Sequence, residues 1–375
     1  MIRFENVTKR YRDGTTAVDS LDLTAPKGSI TVLVGPSGCG KTTSLRMVNR
    51  LITPTEGRIS IDGRDTAEMD TAELRRGIGY VIQHAGLFPH RTVAENIGAV
   101  PRLIGWTRRK ARARALELLE MVGLPLEFAD RYPAQLSGGQ QQRVGVARAL
   151  AADSQVMLMD EPFSAVDPIV RTRLQEEFRT LQAELGKTII LVTHDIDEAI
   201  TLGDQVAVFA AGGRLAQVAS PVDLLARPAN DFVADFVGRD RGYRALGFTT
   251  PPSLLVFDEP SVAVDSRTEH ARKAAVDDWI LVLGETGAPL GWLDLSTHDA
   301  DAIRREDVNL GGTVSPRDAS TRELLGAALS SPSGRGVVVN PDGTLHGTVT
   351  AADLIRDAGT AQDVEHAEAL GGPRP

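Results

Sequence analysis

The chain has 375 residues, of which 42% are hydrophobic, and its 41 Lys and Arg stand against 50 Asp and Glu. This length exceeds that of one average domain and the composition can build full cores, so we expect two domains. The chain has no apolar run of 18 or more residues, and its N-terminus MIRFENVTKRY is charged and strand-like. We therefore expect neither a membrane span nor a signal peptide, and a cytoplasmic chain. One cysteine, Cys39, excludes a disulfide within the chain.

The first 28 residues and residues 57–62 are predicted to form short strands of a small antiparallel sheet. Between them, the apolar run ITVLV predicts a buried strand, and GPSGCGKTT follows it directly. This loop fits the pattern G-x-x-x-x-G-K-[ST], in which backbone N–H groups and Lys41 contact phosphate oxygens and Thr42 holds Mg²⁺. The candidate phosphate-binding residues are Gly35, Pro36, Ser37, Gly38, Cys39, Gly40, Lys41, Thr42 and Thr43.

Residues 85–150 are predicted to be mostly helical, and the strands VMLM, TIILV and VAVFA then alternate with helical stretches. This alternation predicts a mainly parallel sheet wrapped by helices. Asp160 and Glu161 follow VMLM, where one acid can bind a metal and its neighbour can deprotonate an attacking water. His194 follows TIILVT, where an imidazole can donate a hydrogen bond to a phosphate.

The run LSGGQQQRVGVARAL, residues 136–150, has the features of a helix start. Ser137 is a good N-cap, and Gly138 and Gly139 expose the first N–H groups of the helix. Such a helix end binds anions.

Taken together, these motifs resemble the ATP-binding subunits of ABC transporters. In that family LSGGQ is the signature motif, Asp160 and Glu161 match the Walker B acid and the catalytic glutamate, and Ser164–Asp167 matches the D-loop with Val166 where Leu is usual. Gln83 in YVIQ matches the Q-loop and His194 the switch histidine. The motifs occur in the family's order over residues 1 to about 238.

The resemblance implies ATP and Mg²⁺ as cofactors and assigns the site residues. It implies catalytic roles for Glu161, His194, Lys41 and Gln83, and stacking of Tyr11 on adenine. Magnesium would be held by Thr42, Gln83 and Asp160. The remaining nucleotide contacts would come from Ser137, Gly138, Gly139, Gln140 and Asp167, with the signature residues binding the ATP of a second copy. Two sites would thus form in a head-to-tail dimer that ATP binding closes and hydrolysis opens.

The domain prediction follows from charge and pattern. Residues 1–240 carry a net charge of −1 and residues 241–375 a net charge of −8. We predict a nucleotide-binding domain over 1–240, a linker over 241–254, a regulatory module over 255–360 and an acidic, disordered tail over 361–375. The module contains two strand-turn-strand segments about 57 residues apart, from Trp279 and Gly336, which resemble a tandem CBS-domain pair with a shortened first repeat. The predicted fold class is therefore α/β: a P-loop ABC ATPase core with a mainly parallel sheet, a small antiparallel β subdomain and a helical subdomain, followed by an α+β CBS-like module.

Within the family, stretches such as SLRMVNRLITPTEGRISIDG and RRGIGYVIQHAGLFPHRTVAENI resemble the osmoprotectant importers, which carry glycine betaine, choline, carnitine or proline betaine. This resemblance implies separate membrane permease subunits, an extracytoplasmic solute-binding protein and a peripheral location on the cytoplasmic face of the membrane. Gln83–Pro89 would be the groove for a permease helix. A small regulatory ligand or the ionic strength would act on the CBS-like module.

Other functions are weaker. An importer of another solute, such as an amino acid, is the main alternative. ABC ATPases of DNA repair and translation carry a long coiled coil or two nucleotide domains, and this chain shows neither pattern. The basic run TRRKARARALELL is interpreted as a solvated helical face, so we expect no nucleic-acid partner. A stand-alone binding module would leave Glu161 and His194 without a role.

Overall fold

A computed structural model describes residues 1–83, 86–164, 166–251, 256–309 and 314–358. The chain divides into two compact units, Met1–Arg239 and a second unit that begins at Asp240. Within the described ranges, none of the helices combines the length and the apolar character needed to cross a membrane.

The first unit contains two sheets and a group of helices. Its strands are β1 (Ile2–Arg10), β2 (Thr16–Ala25), β3 (Ile30–Val34), β4 (Glu56–Ile61), β5 (Arg64–Asp65), β6 (Ile78–Val81), β7 (Val156–Asp160), β8 (Thr188–Val192), β9 (Gln205–Ala210) and β10 (Arg214–Ala219). Its helices are α1 (Lys41–Val48), α2 (Thr71–Arg76), α3 (Val93–Ile97), α4 (Ala99–Leu103), α5 (Arg108–Met121), α6 (Gly138–Leu150), α7 (Pro168–Leu185), α8 (Ile196–Leu202), α9 (Pro221–Ala226) and α10 (Asp231–Val237). Short 3-10 turns occur at Leu126–Asp130 and Pro133–Gln135.

The larger sheet has the strand order β10-β9-β3-β8-β7-β6. All neighbours in it are parallel except β9 and β10. Every residue of β3, β7 and β8 is buried, as expected for parallel strands with both faces covered. One buried cluster joins Leu33 and Ile190 of these strands to Phe4 of the smaller sheet. The prediction of a mainly parallel sheet is therefore confirmed. The antiparallel edge strand β10 was not predicted.

The smaller sheet has the order β2-β1-β4-β5, and all its pairs are antiparallel. This confirms the small antiparallel sheet expected from the N-terminal sequence.

The segment between β6 and β7 is mostly helical, as predicted. In α5 the residues at helical spacing Ala111, Ala115, Leu118 and Leu119 are buried, so one stripe of this helix's surface packs against the rest of the unit. Two of the helices begin with a capping box, at Thr92 with Glu95 and at Ser137 with Gln140.

The second unit contains a repeated arrangement. Its elements are α11 (Arg241–Ala245), β11 (Ser261–Ala263), α12 (Thr268–Ala274), β12 (Trp279–Leu283), β13 (Pro289–Asp294), β14 (Val314–Pro316), α13 (Thr321–Ser330), β15 (Arg335–Val339) and β16 (Leu345–Thr350), with residues 351–358 helical. Strand β11 pairs parallel to β12, which pairs antiparallel to β13, and β14, β15 and β16 repeat this pattern. Both copies have an irregularity at the same place, between Val282 and Leu283 and between Val338 and Val339.

The two copies share a buried cluster formed by Leu281, Trp292 and Val337. The first copy is the shorter one. Its helix α12 has 7 residues against 10 in α13, and its described segment 295–309 holds a 3-10 turn at Arg305–Asp307 where the second copy has the helix 351–358. The CBS-like assignment of this module stays a prediction, and its residues 255, 310–313 and 359–360 lie outside the described residues, as does the tail 361–375.

The predicted linker, 241–254, differs from the structure over its described residues. Helix α11 and a 3-10 turn at Leu246–Phe248 occupy it, and Leu246 packs against the buried cluster of the second copy. The carbonyl of Thr249 accepts a hydrogen bond from the N–H of Thr321 at 2.8 Å. These contacts make residues 241–249 part of the second unit, whereas residues 252–254 lie outside the described residues.

Candidate functional site

The phosphate-binding loop connects β3 to α1, as the sequence predicts. Pro36, Ser37 and Gly38 are exposed at its tip. Gly40 has a φ of 94°, and a Cβ built on it would lie 2.1 Å from the carbonyl oxygen of Ala17, so the loop requires glycine there. Gly38 has a φ of 78°, but its Cβ would meet no atom within 4 Å, so the loop is open on that side.

Lys41 begins α1 and is 6% exposed. Its Nζ donates to the carbonyl oxygens of Gly35 at 2.7 Å and Pro36 at 2.9 Å, and lies 3.6 Å from Sγ of Cys39. A buried ammonium whose partners here are neutral loop atoms fits an anionic ligand. Together with the open loop and the helix N-terminus, it makes this site suitable for nucleotide phosphates.

Thr42 and Asp160 meet although they are far apart in sequence. The Thr42 hydroxyl donates to Oδ1 of Asp160 at 2.8 Å, and Nη2 of Arg46 lies 3.6 Å from Oδ2. Burial raises the pKa of Asp160, while the hydrogen bond from Thr42 and the positive charge of Arg46 act against that shift. A hydroxyl and a carboxylate beside a phosphate loop are the oxygen ligands that Mg²⁺ prefers, so these residues fit a bound magnesium ion.

Glu161 lies between two other predicted residues. Gln83 donates from Nε2 to Oε2 of Glu161 at 2.9 Å, and Nδ1 of His194 lies 3.3 Å from Oε1. The backbone of Glu161 has a φ of 47° and donates from its N–H to the carbonyl of Val192 at 2.9 Å. This left-handed turn ends β7 and directs the chain away from the sheet, beside the end of β8.

The signature run forms the start of α6. Oγ of Ser137 accepts from the N–H of Gln140 at 3.3 Å, and the Gln140 side chain accepts from the N–H of Ser137 at 2.9 Å. Ser137 and Gly138 are exposed, so the helix end is open to a ligand or to another molecule. Gly139 lies in the first turn.

The remaining candidates lie in two loops of the first unit. Tyr11 is 41% exposed in the β1–β2 connection, and Nζ of Lys9 lies 5.3 Å from its ring centroid. In the predicted D-loop, the Ser164 hydroxyl donates to the carbonyl of Glu161 at 3.0 Å, and Asp167 directly precedes α7. Ala165 of this loop lies outside the described residues.

The structure thus places Thr42 with Asp160, and Gln83 with Glu161 and His194, at neighbouring strand ends. Gln83, predicted as a magnesium ligand, contacts Glu161 here. The sequence analysis missed Arg46, which lies one helical turn after Thr42 on α1 and approaches the same carboxylate. The i, i+4 spacing of Thr42 and Arg46 was the sequence signal that could have identified it.

Comparison with known proteins identifies the family. The ABC transporter family model matches residues 18–164. The carnitine transport ATP-binding protein OpuCA of Listeria monocytogenes is 45% identical over 365 residues, which cover 95% of this chain and 91% of OpuCA. The osmoprotectant import ATP-binding protein OsmV of Salmonella typhimurium is 44% identical over 372 residues, covering 95% of this chain and 96% of OsmV.

Among solved structures, a dimeric post-hydrolysis state of an ATP-binding cassette bound to ADP and Pi is similar. It has a TM-score of 0.55 and 36% identity, and the match covers 59% of this chain and 99% of that one. A phosphate loop with a buried acid and a second carboxylate beside it defines a nucleoside-triphosphate hydrolase. This chain belongs to the ATP-binding proteins of ABC transporters, ATPases that couple ATP hydrolysis to transport.

Proposed function

We propose that this chain is the ATP-hydrolysing subunit that powers import of a quaternary-amine osmoprotectant through separate membrane subunits. Glycine betaine, choline, carnitine and proline betaine are the proposed solutes. The supporting observation is that relatives named for carnitine transport and osmoprotectant import match 95% of the chain, which includes the second unit. A separate solute-binding protein would supply the specificity.

Glu161 is the proposed general base. Its carboxylate lies within hydrogen-bond range of Gln83 and close to His194, so its orientation is fixed from both sides. It would accept the proton of the attacking water, while His194 and Lys41 would donate to the phosphate oxygens. This arrangement around one carboxylate carries the proposal for the reaction.

Thr42 and Asp160 are the proposed holders of Mg²⁺, and Gln83 would join them by turning its amide oxygen from its present position. When bound, the ion would neutralise charge on the transferred phosphoryl group. Asp160 is 3% exposed, so water does not compete effectively for its carboxylate.

A second copy of the chain is the proposed partner that completes each site. The exposed helix end at Ser137, Gly138, Gly139 and Gln140 would bind the ATP held by the other copy's loop, with Asp167 nearby and Tyr11 against the adenine. The similar solved cassette is described as dimeric and bound to ADP and Pi, which supports this proposal.

The permease subunits are the proposed membrane partners, and they would hold the chain at the cytoplasmic face of the membrane. Tyr80, Ile82, Phe88, Val100 and Arg148 line a cavity of about 550 Å³ that could accept a helix. The predicted groove Gln83–Pro89 borders it, although residues 84 and 85 lie outside the described residues. A small regulatory ligand is proposed for the second unit.

Two experiments test these proposals. Light scattering of the Glu161→Gln variant with ATP and Mg²⁺ should give twice the monomer mass. Ser137→Arg in the same background should give the monomer mass, and a monomer in both cases contradicts the shared site.

For the solute, cells expressing the complete transporter are given radiolabelled glycine betaine with excess unlabelled choline, carnitine or an amino acid. Competition by the amino acid but by neither quaternary amine would favour the alternative importer.

A further inference from the structure

We propose that Arg171, Gln175 and Glu198 are positioning residues, which hold the loop that carries His194 and connect it to Val166, a residue of the predicted D-loop. This inference rests on the proposed role of His194. Arg171 and Gln175 are one turn apart near the start of α7, so both project from the same side of that helix. Glu198 lies in α8, which follows His194.

The first connection runs through Glu198, which is 7% exposed. Its carboxylate accepts hydrogen bonds from the Thr193 hydroxyl and from Nε2 of Gln175, the latter at 3.5 Å. Thr193 is 1% exposed, and its Oγ1 also accepts from the N–H of Asp195 at 3.0 Å. The residue before His194 is therefore fixed to both α7 and α8.

The second connection runs through Arg171. Its Nη2 donates to the carbonyl of Val166 at 3.0 Å, and its Nη1 lies 3.9 Å from Oδ2 of Asp195. Asp195 is the N-cap of α8 and accepts from the N–H groups of Asp197 and Glu198. One guanidinium thus contacts Val166 and the residue that follows His194.

These contacts fix the residues on each side of His194, whereas the His194 side chain itself is 58% exposed. A shift of Val166 would therefore move Arg171 and, through Asp195, the imidazole near Glu161. We infer that the network sets the imidazole for the reaction and has little part in holding ATP. Among the described residues, the side chains of Arg171, Gln175 and Glu198 contact each other and residues 166, 193 and 195, not the phosphate loop 35–43.

A double-mutant cycle on the full-length chain tests this inference. Arg171→Met removes both contacts, and Asp195→Asn removes the negative charge while asparagine can still cap α8. Each single variant should lower kcat for ATP hydrolysis about 10-fold or more, while its KM stays within about threefold of that of the unchanged chain. The kcat of the double variant should be no lower than that of the more impaired single variant. Arg173→Met, on the same helix but with a side chain 78% exposed, is the matched control and should leave kcat unchanged.

Glu198 offers a second test. Glu198→Gln keeps one oxygen for Thr193, so its kcat should lie between those of Glu198→Ala and the unchanged chain. Fully additive effects in the cycle, or a KM that rises while kcat stays constant, would overturn the inference. The variant His194→Ala separates this inference from the proposed function. If His194→Ala retains full kcat, the proposed role of His194 is wrong. If His194→Ala loses kcat while Arg171→Met keeps a normal kcat, only the positioning network is refuted.

Discussion

Replacing Glu161 by Gln tests the proposed general base with the smallest change in shape. Glutamine keeps one oxygen to accept from Nε2 of Gln83, and the backbone bond to Val192 is unaffected. It removes the negative charge and the group that takes a proton from water. Because a positioned base contributes about 10²–10⁴-fold, the barrier should rise by about 2.7–5.5 kcal/mol.

The assay is steady-state phosphate release, combined with ATP binding measured by equilibrium dialysis. ATP affinity should stay within about threefold, because the phosphate loop and Lys41 are unchanged. Glu176→Gln makes the same charge change at an exposed position on α7 and should have normal kcat. If Glu161→Gln retains kcat within about threefold of the unchanged chain, the assignment of the base is refuted.

Two further predictions concern the fold. Gly38→Ala should cost only the left-handed backbone term, about 1–2 kcal/mol of unfolding free energy in urea, whereas Gly40→Ala should cost more, because its Cβ would overlap the carbonyl of Ala17; equal losses would contradict this. In the second unit, burial raises the pKa of Glu259, which accepts a hydrogen bond from Thr348 at 2.8 Å. Protonation of Glu259 therefore stabilises the folded chain. This contribution to the free energy of unfolding is fully present below the unfolded pKa of about 4.3 and is lost as the pH rises through the folded pKa. The calorimetric Tm of the unchanged chain should therefore fall relative to that of Glu259→Gln between about pH 4 and neutrality, and a rise would show that its ion pair with Arg335 dominates.

Local patterns were sufficient to predict much of the first unit. The strands β3, β7 and β8 are continuous apolar runs, and the phosphate loop has a defined spacing, so their type and order followed from the sequence. The roles of Gln83, Glu161 and His194 were implied by the family resemblance of their motifs alone. Their proximity depends on parallel strands that bring distant residues to one sheet edge.

What the sequence did not predict depends on tertiary contacts. Helix α11 lacks buried residues of its own, and its segment is held by packing of the following Leu246, so no apolar periodicity indicated it. Likewise, Arg171 and Glu198 are charged residues on ordinary helices. Their connection to His194 appears only when α7 and α8 are placed side by side.

Uptake of radiolabelled glycine betaine tests the central claim most directly. Cells that lack this chain are compared with the same cells supplied with the intact chain or with Glu161→Gln, at low and high osmolarity. We predict uptake that returns only with the intact chain and increases with osmolarity. Equal uptake in all three strains, with no other betaine importer present, would contradict the proposed transport function while leaving the ATPase assignment in place.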